Sequence, residues 1–268
     1  MSDPMKKERP LPGSLASGWL VARLFFRVSL GRRRILWIAL AMLIPVAMAI
    51  YWRIAEGGDG AAFFTEMTVN LFLQFFALGL PLYLGVSAIR DEIEDKTIVY
   101  LFARPLHRAV VLGGKIFSVA LVVAFALSLI LSIVYAIVVS ADGISEIGRQ
   151  LPRLVLHMGV LSIAAIAYTA LFSVFGVLLR KPMILAILIG FGWEAVVSNL
   201  PGAFPKLTLL YYLKSLLGLG PEASGMMSLL IPPIDPAPFT TAFTVLAVTT
   251  VLLFTAALTI GSRKEYRI

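Results

Sequence analysis

Five of the six long apolar stretches in this sequence contain no Asp, Glu, Lys or Arg, and the sixth contains a single one, Glu194. The stretches are Ile35–Trp52, Val69–Ile89, Ile116–Ser140, Leu154–Leu179, Met183–Asn199 and Phe239–Gly261. A bilayer core about 30 Å thick takes roughly 20 apolar residues of α-helix to cross. The pattern therefore predicts an all-α polytopic membrane protein with six transmembrane helices. Only 14% of the 268 residues are charged, against about 25% in soluble domains, too few to clothe an ordinary water-facing surface. Trp37 and Trp52 lie at the ends of the first stretch, where interfacial aromatics belong.

The charges gather between the stretches and set an orientation. With the N-terminus in the cytoplasm, residues 1–34, 90–115, 180–181 and 262–268 face inward and carry 18 of the 23 Lys and Arg residues. That bias predicts both termini inside. The net charge of +8 is thus a topology signal, and nucleic acid is not an expected partner. The first twelve residues are polar, so no cleavable signal peptide is expected. The expected domains are a cytoplasmic N-terminus with an interfacial helix over 1–34, a membrane domain over 35–261 and a cytoplasmic tail over 262–268.

Three further segments have a readable character. In Ser17–Leu30, Arg23 and Arg27 share one side while Leu20, Leu24, Phe25 and Val28 fill the other, predicting an amphipathic elbow helix in the cytoplasmic interface. The turn Leu179-Arg180-Lys181-Pro182 joins the fourth and fifth stretches as a tight hairpin, with Pro182 in the first turn of the next helix. The outer segment 200–238 is apolar yet rich in proline. A short helix is expected over Leu207–Leu217, with Tyr211 and Tyr212 at headgroup level.

The segment Arg90–Lys115, RDEIEDKTIVYLFARPLHRAVVLGGK, is acidic in its first half and basic in its second, with an apolar centre. Such a helix should dock on a membrane edge or on another protein. It resembles the permeases of type-2 ATP-binding-cassette exporters, closest to the branch for maturation of multi-copper enzymes. That motif reads approximately E-x-E-x-(K/R)-T-I…L-(S/A)-(R/K)-P-x-x-R…G-K. It is matched by Glu92, Glu94, Lys96, Thr97, Ile98, Leu101, Ala103, Arg104, Pro105, Arg108, Gly114 and Lys115. His107 stands where the family often has a small polar residue.

The resemblance implies that this segment is a coupling helix seated in a separate ATPase subunit. Glu92, Glu94, Thr97, Arg104, Pro105, Arg108 and Lys115 would be its contact residues. It also implies a working unit of two permeases and two ATPases, with ATP and magnesium bound by the partner. The sequence itself lacks G-x-x-x-x-G-K-[ST], which cradles nucleotide phosphates. It also lacks the H-E-x-x-H, G-x-S-x-G and kinase signatures. A non-catalytic transport subunit of a bacterial inner membrane is expected, with no cofactor of its own.

Four polar residues are candidates for a translocation path: Glu66, Asn70 and Gln74, spaced by four on one helix face, and Glu194. Ionisable groups at membrane depth are costly and often functional. The first three either line an outer gate or solvate a helix end. Glu194 either lies on the path or at a dimer interface, or bonds to Trp193, Ser198 or a neighbouring helix. The competing functional class is a stand-alone membrane enzyme or proton-coupled carrier acting through Glu194 and His157. The outer segment could also hold an extracytoplasmic partner. With no cysteine, thiol chemistry and disulfides are excluded.

Overall fold

The computed structural model describes residues 32–55, 58–94, 108–141, 143–179, 182–198, 200, 203–220 and 235–263. It is all-helical over these residues. Helix α1 spans Arg32–Ala55. Helix α2, Gly60–Met67, runs through a π-helical segment, Thr68–Phe76, into α3, Ala77–Glu94. Then come α4 (Arg108–Val139), the short α5 (Ile144–Arg149) and α6 (Leu151–Leu178). Helix α7, Pro182–Ile187, continues as a second π-helical segment, Leu188–Val197. A 3-10 turn, Phe204–Leu207, leads to α8 (Leu209–Leu216), and α9 spans Phe239–Arg263.

Five helical passages are long and apolar enough to cross a membrane: Ile38–Ala55, Gly60–Val86, Ala109–Val139, Leu151–Leu178 and Phe239–Arg263. They coincide with five of the six predicted stretches. The fifth predicted stretch, Met183–Asn199, forms a shorter apolar helix, Pro182–Glu194. It climbs antiparallel beside α6, with Gly190 against Phe172 and Glu194 against Tyr168. Tyr168 stands ten residues before the end of α6, so this helix rises only about 15 Å before meeting it. Its winding runs on through the π-helical segment to Val197, and it is shorter than the five long passages. Pro182 does open this helix, as predicted.

Helix α6 is the centre of the bundle, packed against α3, α4 and α9. Its buried surface includes Ala164, Ala165, Ala167 and Ala170, whose small side chains let neighbouring backbones come close. Gly85 of α3 belongs to the same seam: a Cβ there would sit 3.6 Å from both the Phe172 Cβ and the Thr169 carbonyl oxygen. At one end of the bundle, Arg53 joins α1 to α4. Its Nη1 donates to the Ile137 carbonyl at 3.1 Å and to the Ser140 Oγ at 2.6 Å, filling acceptors at the C-terminus of α4.

Chain direction places the ends. Helices α1 and α4 end, and α2 and α6 begin, on the side that carries Arg53, Asp59 and Arg153. The opposite end carries the start of α1 at Arg32, the end of α3 at Glu94, the start of α4 at Arg108 and the end of α9 at Arg263. The predicted elbow helix Ser17–Leu30 lies outside the described residues.

Candidate functional site: a polar cavity beside a broken helix

A cavity of about 910 Å3 opens among α2, the first π-helical segment, the start of α6 and the end of α8. Glu66, Asn70 and Gln74 all line it, on the face their spacing predicted. Asp59, Arg153 and Lys214 join them from other elements. From Asp59 at its lip to Gln74 the cavity follows the helix for about 20 Å. Asn70 and Gln74 belong to the π-helical segment, where Ala77 N–H donates to the Phe72 carbonyl five residues back. Such segments are frequent at functional sites. Asp59 is fixed as the N-cap of α2: its Oδ1 accepts from the N–H groups of Ala61 at 2.9 Å and Ala62 at 3.1 Å.

Glu194 does not line this cavity. Its side chain is 4% exposed and ties three elements together. Oε1 accepts from the Leu209 N–H at 3.2 Å, and Oε2 accepts from the Leu210 N–H at 3.0 Å and from the Tyr168 hydroxyl at 3.0 Å. Thr208 completes the cap, its Oγ1 accepting from the Tyr211 N–H at 3.2 Å and donating to the Pro205 carbonyl at 2.7 Å. The first three N–H groups of α8 are therefore satisfied in a buried site. The favourable helix dipole adds to the fit of an acidic partner there. Of the partners expected for Glu194, the neighbouring helix supplies these bonds.

Helix α8 agrees with the short helix expected over Leu207–Leu217. Its C-terminus closes on Gly218 at φ +73°, with Leu219 N–H donating to the Lys214 carbonyl and Gly218 N–H to that of Ser215. That is a glycine-terminated helix end. Tyr211 is buried against the rest of the protein. Its hydroxyl donates to the Asp235 carbonyl at 3.1 Å, and the Ser215 Oγ accepts from Ala237 N–H at 3.1 Å. The sequence reading missed Thr208, although a threonine directly before the apolar run Leu209-Leu210 is an N-cap signal.

His157 is buried on α6, its ring 5.1 Å from that of Phe64. Nδ1 lies 2.7 Å from the Arg153 carbonyl; a carbonyl only accepts, so Nδ1 carries the proton. Eleven residues, about 16 Å of helix, separate His157 from Tyr168, the partner of Glu194. The two groups named for a carrier mechanism thus sit at different levels. Among the described residues no three His, Cys, Asp or Glu side chains gather as a metal site.

Of the predicted coupling residues, Glu92 and Glu94 fall in the last turn of α3 and Arg108 opens α4. The two helix ends lie at the same end of the bundle. Lys115 lies on α4 with its side chain 2% exposed. Thr97, Arg104 and Pro105 lie outside the described residues.

A family model described as "ABC-2 family transporter protein" matches residues 30–193, from the start of α1 into the second π-helical segment. No curated protein matches the chain.

Proposed function

The chain belongs to the ABC-2 family of transporter proteins, and from that premise we propose that it is the permease of an exporter driven by a separate ATPase subunit. The observation that carries this reading is the family match over more than half of the chain, which encloses the whole Arg90–Lys115 segment. In this reading ATP and magnesium bind to the ATPase, consistent with a sequence that contains no phosphate-cradling P-loop.

In this reading the end of the bundle holding Arg32, Glu94, Arg108 and Arg263 is cytoplasmic, as the distribution of Lys and Arg favours. The segment 90–115 then couples to the ATPase, its two ends belonging to α3 and α4. Arg104 and Arg108 make charge-assisted bonds to acidic groups of the ATPase, and Glu92 and Glu94 meet a basic rim. Displacement of the segment is passed to α3 and α4, to which it is joined. Two copies of the permease complete the unit, with the apolar outward faces of α1 and α9 (Leu40, Leu43, Val251, Leu252) toward lipid or the second copy.

Pro182–Val197 and α8 together make a sixth, discontinuous passage, which keeps both termini on the cytoplasmic side. Broken passages are stable where the freed backbone is buried in protein, and the Glu194 bonds meet that need. The cavity of Glu66, Asn70 and Gln74 is the outer part of the path, and residues 200–238 cover it or meet an extracytoplasmic partner. The motif resemblance supports the multi-copper-enzyme-maturation branch, although the lack of cysteine argues against a thiolate route for copper. The separation of His157 from Glu194 favours this reading over a stand-alone proton carrier.

The deciding experiment is a pull-down from mildly solubilised membranes, with mass spectrometry of what is captured. Wild type should bring down an ATPase, and the double variant Arg104→Glu/Arg108→Glu should not. Absence of any ATPase from wild type, even after crosslinking in native membranes, overturns the reading.

A further inference from the structure

Thr169 and Ser173 stand about one turn apart on the buried face of α6, 0% and 1% exposed. Neither hydroxyl has a hydrogen-bond partner among the described residues. Other helical hydroxyls of this chain behave differently. Those of Thr68, Ser118, Ser132, Ser162 and Ser215 each donate to the carbonyl four residues back in their own helix. Three buried side-chain polar atoms are without a partner among the described residues, and these hydroxyls are two of them. The deficit is therefore concentrated on one face of one helix. A buried donor without an acceptor is costly.

Gly85 of α3 faces this pair. A Cβ there would stand 3.6 Å from the Thr169 carbonyl oxygen, 3.6 Å from the Phe172 Cβ and 3.8 Å from the Ser173 Oγ. These are ordinary van der Waals contacts, so the glycine leaves room for about one methyl group between the helices. A water molecule is of similar size. The space is bounded by a hydroxyl and by a carbonyl with a second lone pair, and buried water collects in polar spaces of this kind. At Gly113, Gly190 and Gly261 the nearest atoms are instead side-chain carbons of Leu, Phe and Val.

We propose that the seam between α3 and α6 is a buried water site. One water beside Gly85 accepts from the Ser173 hydroxyl and donates to the Thr169 carbonyl, and the Thr169 hydroxyl donates within the same hydrated face. Water-mediated bonds of this kind are nearly as favourable as direct ones. They also re-pair as two helices shift, where a direct bond has to break. Helix α3 ends at Glu94, inside the Arg90–Lys115 segment, so in the exporter reading this seam lies on the route by which displacement of that segment reaches the centre of the bundle. The water site itself does not depend on that reading.

The test uses the purified full chain in lipid nanodiscs, without nucleotide or ATPase. Brief X-ray radiolysis converts water into hydroxyl radicals where it stands, so oxidation of a fully buried side chain reports water held beside it. Phe172 is 0% exposed and adjoins the site. Mass spectrometry should find it oxidised in the wild type, and several-fold less in Gly85→Ala, whose methyl takes the place of the water. Melting temperatures give a second readout that holds even if one variant folds poorly. Thr169→Val, which keeps the shape and removes the hydroxyl, should lower the melting temperature. Ser173→Ala should lower it in the wild-type background but not in the Gly85→Ala background, where the water is already displaced. A dry seam gives the opposite sign, since removing an unpaired hydroxyl stabilises. A Ser173 hydroxyl bonded to its own helix gives equal losses in both backgrounds. Either of these results overturns the inference, as does a wild-type Phe172 that stays unoxidised or an oxidation that Gly85→Ala leaves unchanged.

Discussion

The hydroxyl of Tyr168 donates to Oε2 of Glu194 at 3.0 Å, and through that one carboxylate the middle of α6 holds both the top of the α7 passage and the bottom of α8. Removing the acceptor leaves two backbone N–H groups of α8 and a tyrosine hydroxyl without partners in a buried site. Glu194→Ala should cost about 3 kcal/mol or more, read as a lower melting temperature of the detergent-solubilised protein. Glu194→Gln should cost less, because the amide oxygen still accepts from the Leu209 N–H and the NH2 donates to the Tyr168 oxygen, leaving only the Leu210 N–H without its acceptor. Tyr168→Phe should cost about 1 kcal/mol. Equal losses in all three would show that the carboxylate is not the tie.

The seam between α3 and α6 predicts a steric effect. Gly85→Leu brings a branched side chain against the Phe172 Cβ and the Thr169 carbonyl, both 3.6 Å from a Cβ. The helices must part, at a cost of about 1–3 kcal/mol. Gly148→Leu is the control, since nothing lies within 4 Å of its Cβ position; its melting temperature should match wild type.

How much of this could be read beforehand differs between elements, for physical reasons. The long helices were legible because a charge-free run of bilayer length has few other uses. Glu66, Asn70 and Gln74 were legible as one face because their spacing is local. Arg153 and Lys214 were not, because only packing brings the starts of α6 and the end of α8 beside α2. The winding of the fifth passage was not legible: Leu188–Val197 is as apolar as a full span, and nothing local marks it as π-helical. The partner of Glu194 begins fifteen residues further on, at Leu209. A lone acid in such a run signals a burial problem without saying what solves it. The coupling residues were found by resemblance, and the centre of that segment lies outside the described residues.

Arg53 predicts a local effect on the end of α4. Arg53→Ala removes the bonds to the Ile137 carbonyl and the Ser140 hydroxyl, and exposed helix-end contacts of this kind are worth about 1 kcal/mol. Hydrogen exchange of the amides near Ser140 should speed up several-fold, while the amides of α6 keep their protection.

Orientation is testable with single cysteines, because the chain has none of its own to remove. Ala62→Cys, at the cavity, and Arg263→Cys, at the end of α9, are both exposed positions at opposite ends of the bundle. A membrane-impermeant maleimide added to intact cells should label the first and spare the second until the membrane is opened. The reverse pattern would invert the proposed topology.

In the proposed topology, the passage made of Pro182–Val197 and α8 acts as a hinge where a single helix would be a strut. Thrust applied at Pro182 travels up one lever as far as Glu194, and there it is handed through a pivot to α8, whose far end carries Lys214 into the cavity wall. A motion begun on one side of the membrane can therefore arrive on the other as a change in the shape of a chamber rather than as the displacement of a rod.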